Sequence, residues 1–249
     1  MILEIYRTPE ESGARAAARI ADKLREAISL RGEARLLLST GASQFKMFDS
    51  LCTLDIDWSR VVMFHLDEYV ALSGDHIASF RRYLRERFES KLPMPLKSAH
   101  YVDGEGDIAA NIERLTSLFC AAPIDVGAIG IGENGHIAFN DPPADFETDK
   151  TYITVKLDDR CKAQQVREGW FDSIAEVPAQ AVSMTVRAIM SCRSLVSVVP
   201  GAVKADAVRK TLGGAVAPDI PAAILKRHAD WALYLDFASA AGFFNDSGI

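Results

Sequence analysis

The sequence predicts an α/β protein: a doubly wound, mostly parallel sheet with helices on both faces, Rossmann-like in outline. Three observations carry that expectation. Short runs of consecutive apolar residues alternate with longer stretches of helical periodicity. The runs are apolar throughout rather than at every second position, as strands covered on both faces must be. Clusters of glycine and polar residues follow several of the runs, which is where ligands bind in open parallel sheets.

Taken in order, Thr8-Pro9-Glu10-Glu11 reads as a helix start, with Thr8 as cap, Pro9 at the first helical position and Glu11 completing a capping box. Ala17, Ile20, Ala21, Leu24, Ala27 and Ile28 then share one helical face, and Gly32 ends the helix. Arg35 to Ser39 is the first strand, Phe45, Phe48 and Cys52 mark a helix, and Val61 to Phe64 is the second strand. Helices follow through Phe80, Tyr83, Leu84 and Phe88, and through Ile108, Ile112, Leu115 and Phe119. Ile124 to Ile131 is a strand running into a glycine-rich turn, and another strand precedes Arg160. Leu195 to Val199 is a strand, followed by a helix through Ala205, Val208 and Leu212 that Gly213-Gly214 stops. Trp231 to Leu235 is the last strand, and the polar stretch from Asp141 to Lys150 reads as a loop or lid.

The 249 residues are 49% hydrophobic, enough for one sizeable core, and a single domain over 1–249 is expected. A net charge of −6 gives no sequence-independent attraction to nucleic acid, so an anionic ligand needs a local positive site. Cys52, Cys120, Cys161 and Cys192 form no CxxC pair and no zinc-like cluster with histidine, and read as reduced thiols. The opening MILEIYRTPEE turns acidic too early for a signal peptide, and no run approaches the ~20 apolar residues of a membrane span. A cytoplasmic setting without membrane partners is expected.

Four places stand out as chemistry. Residues 39–43 (Ser-Thr-Gly-Ala-Ser) join the first strand to its helix. Small residues let the backbone approach a ligand, and N–H groups at a helix start favour an anion; an ordinary capped turn would look the same. The segment is neither a P-loop nor GxGxxG, so no nucleotide is implied. Asp67 and Glu68 end the second strand; either could cap a helix or act as a general base. Gly130-Ile-Gly-Glu-Asn-Gly-His-Ile-Ala-Phe-Asn-Asp141 brackets polar residues with three glycines and places His136 near Asp141, a carboxylate able to orient it. Lys204 opens a helix, where a cation opposes the dipole and an anionic ligand would explain it; a solvated lysine is the plain alternative. His65 reads as a packed strand residue, and His76, His100 and His228 as surface or helix-end residues. Arg81, Arg82, Arg85 and Arg87 read as a solvated helix face. Arg160, Lys162 and Arg167 are open candidates for reaching a phosphate.

Together these motifs resemble the glucosamine-6-phosphate deaminase branch of a superfamily shared with 6-phosphogluconolactonases. The resemblance runs in order through residues 39–43, Leu66-Asp67-Glu68-Tyr69, the stretch from Gly132 to Asn140, Val177-Pro178, Ala181 to Met184, Gly201 with Lys204, and the last strand. It implies conversion of glucosamine-6-phosphate and water to fructose-6-phosphate and ammonium, with no metal and no organic cofactor. Asp67 would move a proton from carbon 2 to carbon 1. His136 would open the sugar ring, flanked by Asn134 and Asp141. Thr40, Gly41, Ala42, Ser43 and Lys204 would hold the phosphate. The sequence departs from the family at Asp141, where glutamate is usual, and at Gln165, near which an arginine usually binds phosphate; Arg167 or Lys162 would replace it. The implied partner is a small sugar phosphate, with a homo-oligomer left open. Competing readings are the galacto epimer as substrate, a lactone hydrolase in which His136 activates water, and a non-catalytic sugar-phosphate sensor.

Overall fold

The structure is a computed structural model and describes residues 1–247. The expected single-domain span of 1–249 thus ends on two residues outside the described ones, and the side chain of Arg160 lies outside them too. In chain order the first elements are β1 (Ile2–Tyr6), α1 (Pro9–Arg31), β2 (Ala34–Leu38), α2 (Phe45–Leu51), β3 (Val61–His65), β4 (Asp67–Tyr69), α3 (Phe80–Arg87), β5 (Ser98–His100), α4 (Ile108–Cys120) and β6 (Val126–Ala128). There follow β7 (Tyr152–Lys156), α5 (Asp159–Arg167), β8 (Gln180–Met184), α6 (Val186–Met190), β9 (Ser194–Val199), α7 (Ala205–Gly213), β10 (Trp231–Asp236) and α8 (Phe237–Ser247).

Seven strands form one sheet in the order β1-β10-β9-β6-β2-β3-β5, with every neighbouring pair parallel. Successive residues of one strand feed opposite cores, as the pleat requires. Leu36 and Leu38 of β2 join a cluster with α1, α2 and α3 that includes Ile20, Leu24, Phe48 and Leu84. Leu37 between them joins the opposite cluster with Leu115 and Phe119 of α4, Val208 of α7 and Ala240 of α8. Helices thus cover both faces, which is why the strands lack a polar side.

The start of α1 follows the sequence rule closely. Thr8 Oγ1 accepts from Glu11 N–H at 3.2 Å, while the Glu11 carboxylate takes the N–H of Arg7 at 2.9 Å rather than that of Thr8. Gly32, at φ 77°, supplies the left-handed residue that ends α1.

Several expectations need correction. β1 and β5 are strands the apolar-run criterion passed over: β1 is an edge strand, partly exposed, and β5 is only Ser98–His100. The strand expected over 124–131 shrinks to Val126–Ala128, since the chain leaves the ladder at its glycines, although Ile129 N–H still reaches Val196 C=O at 2.9 Å. Beyond the main sheet lies a second, antiparallel one, β4-β8-β7, in which Asp67 pairs with Ser183. His228 does end a helix, the 3-10 turn Pro221–Arg227, but it is buried, its Nε2 2.8 Å from Cys192 C=O, and His100 is a half-buried residue of β5 set against the Phe64 ring. Arg81 does not belong to a solvated face. It is buried and bonds Glu68, Asp103, Glu105 and the carbonyl of Leu72. No described helix is long and apolar enough to cross a membrane.

Candidate active site

The carboxyl ends of β2, β6 and β9, three neighbours in the sheet, open into one cavity of about 600 Å³. Two of its walls are built alike. After β2, Gly41 (φ 107°, ψ 158°) leads into a single 3-10 turn, Ala42–Gln44, and then α2. After β9, Gly201 (φ 95°, ψ 146°) leads into Ala202–Lys204 and then α7. Both glycines sit in the left-handed region that side chains avoid. The Tyr83 hydroxyl donates to Gly41 C=O at 2.7 Å, and Asp236 accepts from Gly201 N–H at 3.0 Å. Thr40, Gly41, Ala42, Ser43 and Lys204 all line the cavity. Lys204 is only 8% exposed, and its ammonium has no ion-pair partner among the described residues. Burial holds its pKa below the ordinary lysine value, against the pull of Glu168 and Glu133.

The two carboxylates after β3 separate cleanly. Glu68 turns into the protein and serves α3, accepting the N–H groups of Phe80 (3.1 Å) and Arg81 (2.9 Å) and the Ser79 hydroxyl (2.8 Å). Asp67 faces the cavity, 5% exposed, with no hydrogen-bond partner for its carboxylate among the described residues. Burial first, and the charge of Glu68 second, push its pKa up to about 8.

The loop after β6 carries the histidine. Gly130 N–H donates to Ser39 Oγ at 3.0 Å, locking this loop to the one after β2. A Cβ on Gly132 would lie 2.2 Å from the His136 ring, so only glycine admits the imidazole there. His136 Nδ1 lies 2.7 Å from Asn134 Oδ1 and 3.3 Å from Asp141 Oδ1, while Asn134 Nδ2 donates to Asp141 Oδ1 at 2.9 Å. With acceptors on that side only, the network assigns the proton to Nδ1. Nε2 then has no protein partner among the described residues, and the ring lines the cavity. Burial works against charge on Asp141, but His136 and Asn134 hold its pKa below the usual carboxylate value. Asn134 and Asp141 stand behind the ring rather than on the cavity wall. Ala138, at φ 51°, holds a left-handed conformation in the same loop, a strain tolerated where the surroundings fix it.

α5 closes the remaining side. Arg167 lines the cavity and pairs with Glu133 at 2.5 Å, whereas Lys162 does not line it. Sequence reasoning missed Glu133 as Arg167's partner and Gln165 as a buried cavity residue. A signal for Gln165 existed: it follows the apolar Cys161 by four residues and so shares its helix face.

Fold and cavity together define a class: an α/β protein that gathers a buried carboxylate, an imidazole and an ammonium group at the strand ends of a parallel sheet. The chain belongs to the glucosamine-6-phosphate isomerase/6-phosphogluconolactonase family, whose profile matches residues 7–234. It is 32% identical to a glucosamine-6-phosphate deaminase of Oenococcus oeni, over 97% of this chain and 98% of that one. It is 35% identical to the Streptococcus suis protein of the same name, over 88% and 92%. Among solved structures, a monomeric glucosamine-6-phosphate deaminase superposes with a TM-score of 0.89 at 29% identity, covering 97% of this chain and all of that one. A 6-phosphogluconolactonase from Shewanella baltica shares the fold, with a TM-score of 0.74 at 22% identity over 95% and 97% of the chains.

Proposed function

We propose that the protein converts glucosamine-6-phosphate and water to fructose-6-phosphate and ammonium. The observation that carries this reading is the meeting of Asp67, His136 and Lys204 in one cavity, each with an open valence facing it. His136 Nε2 takes the proton of the carbon 1 hydroxyl and passes it to the ring oxygen as the bond between carbon 1 and that oxygen breaks, which opens the pyranose to the aldehyde, with Asn134 and Asp141 fixing the imidazole behind it. Once the aldehyde is free, the proton on carbon 2 is acidic. Asp67 removes it and delivers it to carbon 1, leaving an imine at carbon 2 that water hydrolyses to the ketone and ammonium. A buried carboxylate is a stronger base than a solvated one, which suits this step. Lys204, Arg167 and the turn at Thr40, Gly41, Ala42 and Ser43 hold the phosphate, so binding energy far from the reacting carbons positions the sugar. The four cysteines are free, which supports a reducing, cytoplasmic setting.

The test is ammonium release by the purified protein over the gluco and galacto hexosamine phosphates. Asp67→Asn should abolish turnover while the sugar phosphate still protects against thermal unfolding. Full activity in that variant removes Asp67 from the role of base. Rapid hydrolysis of 6-phosphogluconolactone without ammonium release from any amino sugar would replace the reaction itself.

A further inference from the structure

The cavity contains a buried polar side chain to which the chemistry above gives no task. Gln165 lies on α5, is 7% exposed and lines the cavity, and its carboxamide has no hydrogen-bond partner among the described residues. Its polar neighbours on the same helix are engaged: Gln164 donates to Glu168 at 2.7 Å, and Arg167 pairs with Glu133. The amide opens on the cavity and no protein group among the described residues answers it, so its donor and acceptor are left for the polar groups of whatever fills that space.

The chemistry of the amide says which part of the ligand. A carboxamide presents a donor and an acceptor side by side. A phosphate dianion only accepts, so against it the amide oxygen would meet like charge. A sugar hydroxyl both donates and accepts, and two neighbouring hydroxyls match the amide with two hydrogen bonds. The cavity also holds two cations, Lys204 and Arg167, which suit the anion better than a neutral amide does. We propose that Gln165 is a specificity-determining residue that hydrogen-bonds the hydroxyl edge of the sugar rather than its phosphate. The assignment rests on the reading that the ligand is a hexosamine phosphate.

The experiment is calorimetric titration of the full chain with four probes: inorganic phosphate, the amino-sugar alcohol phosphate, and the 3-deoxy and 4-deoxy forms of that alcohol. The alcohol lacks the aldehyde and cannot react. In Gln165→Leu, binding of the alcohol phosphate should weaken by about 10- to 100-fold, the scale of a buried hydrogen bond lost to an unpaired partner, while inorganic phosphate binds within about twofold of wild type. Wild type should bind at least one deoxy form far more weakly than the parent, and Gln165→Leu should no longer distinguish them. An equal loss for inorganic phosphate, or a wild type indifferent to both deoxy forms, overturns the assignment; the second result needs no variant to fold. Tight, hydroxyl-selective binding that disappears in Gln165→Leu, by a wild type that releases no ammonium, would leave Gln165 assigned and sink the reaction instead.

Discussion

Asp67 and Glu68 are adjacent, chemically alike and differently employed. From the sequence either could cap or catalyse, because which of two successive strand residues faces a cavity depends on the register of β4 against β8, a long-range pairing. Glu68 fills its oxygens with the donors that start α3, whereas Asp67 keeps its own for the cavity. Two pH effects follow from its pKa of about 8, against about 3.9 for an unfolded aspartate. As a base it works ionised, so kcat/KM should rise with pH and level off above about 8; a profile already flat from pH 6 would contradict this. For stability, between those two pKa values the unfolded chain is ionised at this site and the folded one is protonated. Wild-type stability therefore falls as pH rises through that window, by an amount on the order of several kcal/mol at its upper end. Asp67→Asn escapes the penalty. Its melting temperature should exceed that of wild type by a margin that grows from pH 5 to pH 8 and then stays constant.

At the scale of elements, the long helix and the fully apolar strands were legible, since caps, periodicity and runs are local features. β1, β5 and the antiparallel trio were less so. β4 is the three residues Asp67–Tyr69, and its partner β8 lies more than a hundred positions along the chain. The four arginines around α3 show the same limit. Periodicity cannot tell that Arg81 points inward, because the groups that receive it, Asp103 and Glu105, come from beyond β5. Arg81→Leu should cost about 3–5 kcal/mol, the price of leaving buried Glu68 without its cation. Arg82, whose partner Glu86 is an exposed neighbour one turn away, should cost under about 1 kcal/mol when changed to leucine. Denaturant midpoints of the two variants check this; equal losses would mean that the Arg81 network adds nothing.

For the whole molecule, the alternation of strands and helices announced the doubly wound sheet, and the clusters of glycine and polar residues announced where its ligand site opens. What stayed hidden was the third apolar cluster, in which Tyr69, Phe139, Leu157, Cys161 and Phe171 seat α5 over the cavity. These residues come from three separate stretches, at Tyr69, at Phe139 and over 157–171, whose meeting no local pattern encodes. The cavity's charges make a global prediction. A sugar phosphate at a hundred times its Kd should stabilise the Asp67→Asn protein by about 2.7 kcal/mol, or about 5–10 °C in melting temperature for a chain of this size. The same sugar without its phosphate should give a much smaller shift at equal concentration. Equal shifts would show that Lys204 and Arg167 do not read the anion.

The twin glycine turns belong to opposite ends of the chain, one at Gly41 and the other at Gly201. The sheet is braided to match, with the early strand β6 lying between the late β9 and the early β2, and the first strand β1 lying beside the last, β10. A guest seated between the turns therefore acts as a clasp. If a protease severs the connection between Asp141 and Lys150, the two fragments should stay together, and stay together longest while the clasp is in place.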